Sequence, residues 1–476
     1  MLLNSVAFAM MHSFTVGMTM AQNFKYFGTD GIRGRVGEYP ISNDFVVKLG
    51  WAIGRAFHKE DGAHPNVLIG KDTRISGYMF ESALQAGLVS SGCDIRLCGP
   101  LATPGIAYLT RTFRADAGIV ISASHNPYTD NGIKIFGGNG IKIDDLTQKR
   151  IESKLDKDMH CVPAIRLGKA SRISDAVGRY VEFCKSAFPK TLSLKGMRIV
   201  LDCANGATYN TAPMVFSELG AEVIELGNEP DGFNINLECG STSPQQAVEK
   251  VHKYRANLGI VLDGDGDRVV MIDAEGRLLD GDDLLYILIW SLCERDRLRG
   301  VVGTHMTNMA LEHSCRELGV KFTRVDVGDR NIIRDLNRRG WNLGAEPSGH
   351  IICSDFATTG DGIISSLLVL AALQHHKLEL RQACKKFRRH PQLLRSLSYQ
   401  PHQREQIQRF ITEQTPLAAE RLGDKGRVLL RLSGTEPVLR IMVEAQEQLL
   451  ADTTCSGIET AFHAALDENK TTSGGK

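Results

Sequence analysis

No two cysteines in this 476-residue chain stand in a C-x-x-C pair, and the eleven present are scattered singly from Cys93 to Cys455. An odd count without a framework excludes a disulfide scaffold and a cysteine zinc site, and it reads as reduced thiols in a cytoplasmic protein. Charge of one sign is equally lacking, with 56 Lys plus Arg against 55 Asp plus Glu. There is no basic stripe for a nucleic acid, so a charged ligand has to be met by a local cluster. Long hydrophobic runs are missing too. The most apolar stretch, residues 1–22, is broken by Asn4, His12, Ser13 and Thr15, and its first basic residue comes only at Lys25. It therefore has neither the charged start of a secretory signal nor the length of a membrane span. We read residues 1–24 as a disordered extension or one called from too early a start, with Met18 or Met20 as the alternative start.

What is present is an alternation. Short β-branched runs at 67–69, 94–97, 118–121, 198–201, 222–225, 259–262, 269–272 and 301–303 alternate with helical patterns such as 44–57, 79–91, 306–318 and 361–373. That alternation predicts α/β architecture with mixed sheets. The length exceeds a single core and favours several units. We divide the chain into three similar α/β domains at 25–175, 176–280 and 281–387, followed by a smaller α+β domain at 388–470, where 426–444 reads as two strands around a loop.

Four loops carry candidate chemistry. In the first, the strand of Ile119, Val120 and Ile121 ends in Ser122, Ser124, His125, Asn126 and Pro127. A rigid strand end can present a reactive hydroxyl, with His125 as a neighbouring base, yet the same residues make an ordinary turn, and no G-x-S-x-G elbow supports a hydrolase. The second is DGDGDR, in which Asp263, Asp265 and Asp267 stand two residues apart with glycine between. Three carboxylates so spaced can converge on one hard cation. Ala274 stands where a calcium loop of the EF-hand type needs Glu, so magnesium completed by a phosphate oxygen fits better; an acidic turn is the plain alternative. The third, GAEPSGH, offers Glu346, Ser348 and His350 to sugar hydroxyls, or is simply a capped loop. In the fourth, Arg431 and Arg440 flank Ser433, Gly434 and Thr435, a set suited to a phosphate, or else a surface turn with solvated arginines.

In this order the four loops closely resemble those of the α-D-phosphohexomutase superfamily. The segments KYFGTDGIRGRVG, GKDTRISG, SASHNP and NINLECGST are most similar to the bacterial phosphoglucosamine mutases, and the resemblance runs from about residue 25 to 444. It implies a cleft at the junction of the domains and Ser124 carried as a phosphoserine. That group would turn glucosamine 6-phosphate into glucosamine 1-phosphate through a 1,6-bisphosphate. It implies magnesium on Asp263, Asp265, Asp267 and the phosphoserine, with Arg268 beside it, and a hexose 1,6-bisphosphate as activator. Arg33 and Lys134 would line the site, with Lys134 or His350 as general acid/base. Glu346 and Ser348 would grip the sugar, while Arg431, Ser433, Gly434, Thr435 and Arg440 hold the distal phosphate. Partners would be the phosphosugar and a second copy in a homodimer, with no nucleic acid and no membrane, in a pathway to UDP-N-acetylglucosamine and peptidoglycan precursors. Pro347, where a polar residue is expected, and Leu432, where Lys is usual, depart from the pattern. They leave the reaction class intact and bear on substrate affinity and sugar preference; the alternatives are a phosphomannomutase or phosphoglucomutase, a diverged sugar-phosphate-binding paralogue without turnover, and, from the acidic loop alone, a magnesium-dependent phosphatase.

Overall fold

The computed structural model describes residues 24–433 and 436–472, with side chains described up to residue 466. The extension expected at 1–24 thus lies, apart from Phe24, outside the described residues.

Four sheets follow one another along the chain. The first contains β1 (Ile32–Arg35), β2 (Asn66–Lys71), β3 (Asp94–Pro100), β4 (Ala117–Ile121), β5 (Asp130–Gly137) and β6 (Ala170–Arg172) in the order β1-β5-β4-β2-β3-β6. The second contains β7 (Arg198–Asp202), β8 (Glu222–Leu226), β9 (Leu258–Leu262), β10 (Val269–Asp273) and β11 (Leu278–Leu279), ordered β11-β10-β9-β7-β8. The third is β13-β12-β14-β15, built from β12 (Val301–Thr304), β13 (Phe322–Val325), β14 (Leu343–Ala345) and β15 (Ile351–Cys353). The fourth is antiparallel, β16-β18-β17, from β16 (Gln392–Ser398), β17 (Gly426–Leu432) and β18 (Val438–Ala445).

A common plan underlies the first three. In each, a central strand (β2, β7 or β12) is flanked by two parallel neighbours, and one of these (β4, β9 or β14) turns back through a hairpin into an antiparallel strand (β5, β10 or β15). The turned strands β4, β9 and β14 are buried along their whole length, which is why they read as unbroken apolar runs instead of an alternation. Each hairpin loop leaves the sheet where the parallel strands end, the usual place for ligand chemistry in open α/β sheets. The serine loop joins β4 to β5, the acidic loop joins β9 to β10, and the Glu346 loop joins β14 to β15.

Helices cover these sheets. Ser76–Ser90 begins three residues before the expected start, and Met309–Glu317 begins three later, where the Asn308 side chain accepts from the Ala310 amide at 3.1 Å. Asp361 caps Gly362–His376 by accepting from the Ile364 amide at 2.9 Å, and that helix is buried on nearly every side. Its burial follows from packing in the core shared by the second and third sheets. In the fourth unit, helices Arg404–Leu422 and Gln448–Thr472 bury Ile407, Phe410, Ile458 and Phe462 against the sheet. Arg427 fixes this unit to the third: it bonds Glu444 at 2.7 Å and donates to the carbonyls of His305 (2.6 Å) and Thr307 (2.7 Å). Among the described residues no helix is long and apolar enough to cross a membrane.

Candidate active site

Three hairpin loops meet at one point. Ser124 Oγ donates to Asp263 Oδ2 at 2.6 Å, joining the first unit to the second, and both residues are fully buried. Ser124 has φ = 55°, the left-handed region that costs an L-residue about 1–2 kcal/mol. His125 Nδ1 is 3.4 Å from the same hydroxyl, so the shorter bond goes to the carboxylate and not to the neighbouring imidazole. Burial, together with the charges of Arg268 and Arg33, pushes His125 down to about 4 and keeps its ring neutral at pH 7.

Ligand-capable oxygens of Asp263, Asp265 and Asp267 lie within 4.8 Å of one another. Burial, with the carboxylates of Asp267 and Asp265 beside it, raises Asp263 well above the usual range. Asp265 Oδ1 and Asp267 Oδ1 are buried without a hydrogen-bond partner. Buried carboxylate oxygens left unpaired are costly, and a hard divalent cation shared with Asp263 would satisfy these two. The residues present therefore fit a metal. The loop reaches this geometry through Gly264, where a Cβ would sit 2.5 Å from the Ser124 carbonyl oxygen.

Lys134, on β5 and fully buried, is the cation already in place. Its Nζ is 2.7 Å from Asp265, 3.2 Å from Asp30 and 3.4 Å from Asp267. Burial alone would lower this ammonium; the three carboxylates outweigh burial and raise it. Asp267 faces opposite demands as well: burial raises it, but Lys134 and His350 bring it well below the usual range. His350 stands with Nδ1 3.6 Å from Asp267 and Nε2 3.6 Å from Asp329, and Nε2 also accepts the Gly360 amide at 3.1 Å. Arg268 donates its backbone N–H to Asp263 at 3.1 Å and holds its side chain 3.8 Å from Asp267. Arg33 pairs with Asp30. Glu346 is buried and accepts the Gly328 amide at 2.9 Å, whereas Ser348 lies exposed at the rim.

The fourth loop stands apart from this cluster. Arg431 and Arg440 are directly opposed across β17 and β18 and, with Met306 from the third unit, line a cavity of about 190 Å³. Ser433 is buried at the end of β17, and its amide bonds the Val438 carbonyl at 2.8 Å. Gly434 and Thr435 lie outside the described residues. Among the described residues, no hydrogen bond or ion pair links 431–440 to the other three loops.

Several residues in the cluster were not singled out from the sequence. Asp30 bridges Lys134 and Lys142, and Lys142 reaches Asp329 of the third unit at 2.6 Å. Thr103 donates to Asp265 at 2.5 Å. Asp72, Arg74 and Asn236 bind the serine loop, and the only available signal for them was their place in the GKDTRISG and NINLECGST segments.

Residues 24–160, 178–276 and 280–390 match the descriptions "Phosphoglucomutase/phosphomannomutase, alpha/beta/alpha domain" I, II and III, and residues 393–459 match the C-terminal domain of the same family. The phosphoglucosamine mutase of Azoarcus sp. is 51% identical over 446 residues, covering 93% of this chain and 99% of that one. That of Hahella chejuensis is 55% identical over 427 residues, covering 89% and 95%. The chain belongs to the phosphohexomutase family, on its phosphoglucosamine mutase branch.

Solved phosphohexomutases share the fold. A family protein from Burkholderia thailandensis superposes with a TM-score of 0.77 at 22% identity, covering 93% of this chain and 97% of that one. An Aspergillus fumigatus N-acetylphosphoglucosamine mutase, solved in complex with GlcNAc-6P and magnesium, gives 0.61 at 16% identity, covering 93% and 96%. As in the family, three α/β units and a smaller C-terminal one make up the chain, and the resemblance drawn from the four loops is borne out.

Proposed function

We infer that the protein interconverts glucosamine 6-phosphate and glucosamine 1-phosphate, with Ser124 as the phosphoryl carrier. The observation that carries this reading is the 2.6 Å contact of the Ser124 hydroxyl with Asp263, one of three clustered aspartates, across two units. Asp263, Asp265 and Asp267 would hold magnesium, which when bound neutralises charge on the transferring phosphoryl group.

The reaction is two transfers. In the first, the P–Oγ bond of phosphoserine 124 breaks and a bond forms from phosphorus to O1 of the 6-phosphate sugar, whose hydroxyl proton leaves to a base. The bisphosphate then presents its other end. The bond from phosphorus to O6 breaks, the phosphoryl group returns to Oγ, and O6 takes up a proton, leaving the 1-phosphate. A trace of hexose 1,6-bisphosphate would recharge any serine that loses its group.

The chain's own residues divide the remaining work. Proton transfer falls to Lys134 or His350: Lys134, on the strand that leaves the serine loop, is held as an ammonium by Asp265, Asp30 and Asp267, while His350 meets Asp267 and Asp329 only at 3.6 Å. Arg268 and Arg33 add positive charge around the serine, and His125, neutral, packs beside it without taking its proton. Glu346 and Ser348 would receive the sugar hydroxyls. Arg431, Ser433, Gly434, Thr435 and Arg440 would hold the phosphate that is not reacting, since guanidinium forks pair two-pronged with phosphate. The Pro347 carbonyl accepts the Gly281 amide at 3.1 Å, a bond that any residue could make, so nothing in the structure explains the proline itself. The eleven cysteines are all unpaired, which fits a cytoplasmic site of action.

The test is turnover by the purified protein with magnesium and a trace of glucose 1,6-bisphosphate. Glucosamine 6-phosphate, mannose 6-phosphate and glucose 6-phosphate are compared, with Ser124→Ala as control. Preference for the amino sugar, lost in the variant, is the expected result. Preference for mannose or glucose would move the protein to the phosphomannomutase or phosphoglucomutase reading, and release of inorganic phosphate alone would make it a phosphatase.

A further inference from the structure

The serine loop is held from behind by two side chains that have no place in the chemistry above. Arg74, buried completely, spends its guanidinium on the loop's own backbone. Its Nη2 donates to the carbonyls of Ser124 (3.0 Å) and Asn126 (2.8 Å), and its Nη1 to those of Pro127 and of Asp130 (3.1 Å). Asp72 fixes the guanidinium through Nε at 2.8 Å and accepts the Ser122 hydroxyl at 2.6 Å; Ser122 Oγ in turn accepts the Ser124 amide at 2.9 Å. From the other side comes Asn236, of the second unit. Its Nδ2 donates to the Ser124 carbonyl at 2.9 Å and to the Asn126 carbonyl at 3.0 Å. Both partners are carbonyls, so only the amino end of the amide can face them.

We propose that Asn236, acting on the carbonyls that Arg74 holds from the first unit, is a positioning residue that locks Ser124 in its left-handed conformation and in register with the acidic loop. The role rests on the phosphoserine reading of Ser124. A left-handed serine relaxes unless its surroundings over-determine it, and such strain persists at functional sites for that reason. Two donors on the Ser124 carbonyl and one acceptor on its amide fix the peptide planes on both sides of the residue, and from that backbone Oγ reaches Asp263 at 2.6 Å. Asn236 is the one member of this set from the unit that carries the aspartates. Its amide bonds the Ala204 carbonyl at 2.9 Å, and Gly264 packs so close that a Cβ there would lie 2.8 Å from Asn236 Nδ2. Serine loop, acidic loop and Asn236 therefore form one contact, and domain register is transmitted to the nucleophile through it.

The test uses the full chain. Asn236 itself has φ = 58°, so Asn236→Gly keeps the backbone and deletes the donors, while Asn236→Asp keeps the shape and turns an acceptor toward two carbonyls. Four quantities are measured for each: kcat and KM for glucosamine 6-phosphate, phosphate on Ser124 by intact mass after exposure to glucose 1,6-bisphosphate, and melting temperature. In Asn236→Gly kcat falls roughly 100-fold, the size of loss that a misplacement of about 1 Å produces, with KM and melting temperature little changed. Asn236→Asp loses at least as much. Wild-type kcat in the Gly variant, or a fall no larger than the loss of folded protein, overturns the proposal. Should the Gly variant fail to fold, near-wild-type kcat in a folded Asp variant overturns it equally. A wild-type chain that neither takes phosphate on Ser124 nor turns over refutes the phosphoserine reading itself, and the positioning role with it; the silent wild type distinguishes that case.

Discussion

Replacing Lys134 by methionine removes the cation that touches Asp265, Asp30 and Asp267 at once, and the structure sets the size of the effect. Of the three, Asp30 retains Lys142 and Arg33. Asp267 keeps only the more distant His350 (3.6 Å) and Arg268 (3.8 Å), and Asp265 keeps the neutral Thr103 hydroxyl at 2.5 Å. Stranding one partner of a buried ion pair costs about 3–5 kcal/mol. For a unit of this size each kcal/mol is worth several degrees, so the transition that includes the first α/β unit should fall by roughly 10 °C or more in metal-free buffer. Because a divalent cation bound by the same aspartates supplies the missing charge, magnesium should restore more stability to Lys134→Met than it adds to the wild type. Scanning calorimetry of both proteins in EDTA and in magnesium measures the two differences. A shift under about 2 °C in EDTA, or equal magnesium responses, would refute the account of Lys134 as the internal counter-charge of the acidic loop.

Three further expectations follow from particular contacts. Chelation with EDTA should abolish turnover, and magnesium at about 100 times its Kd should stabilise the wild type by about 2.7 kcal/mol but the triple Asn variant of Asp263, Asp265 and Asp267 not at all, read from urea unfolding. Asp202 is fully buried at the end of β7 and pushed up to about 6 by burial, against the amides of Gly240 and Ala204 that favour its charged form. Its folded value lies above its ordinary 3.8, so its stabilising contribution is complete below that pH and is lost as pH rises through about 6, on the order of 3 kcal/mol. Asp202→Asn should flatten that slope in urea titrations at pH 4 to 7. Gly264→Ala places a methyl 2.5 Å from the Ser124 carbonyl, and overpacking of this kind costs ~1–3 kcal/mol, so both melting temperature and kcat should drop, whereas the same change at the uncrowded Gly178, inside the helix Ala176–Ser186, should leave kcat alone and raise the melting temperature slightly.

Much of the site was legible because its chemistry is local. Asp263, Asp265 and Asp267 are two residues apart, and a tight glycine loop brings their oxygens together whatever surrounds it. The apolar runs at 118–121 and 259–262 announced buried strands, and the strands found there are buried throughout. Helix starts were read less well. Nothing in the local pattern separates Asn308 as a cap from Met306 as a first turn, since the decision lies with the Ala310 amide and with the Asn308 side chain's bond to the His390 carbonyl at 3.0 Å. His125 stood beside Ser124 in sequence and suggested a base, but the strained backbone turns the hydroxyl to Asp263 instead.

The sequence by itself determined the strand–helix alternation and the composition of the four loops, because side-chain period and short-range ligand spacing are properties of a few consecutive residues. Only the tertiary structure decided which of those loops meet. Lys134 finds Asp265 across 131 residues, Asn236 finds Ser124 across 112, and Arg74 finds it across 50. Such pairings are set by the shared hairpin plan of three sheets and by the burial that makes an unpaired charge or amide costly, and neither is written in the neighbourhood of any one residue.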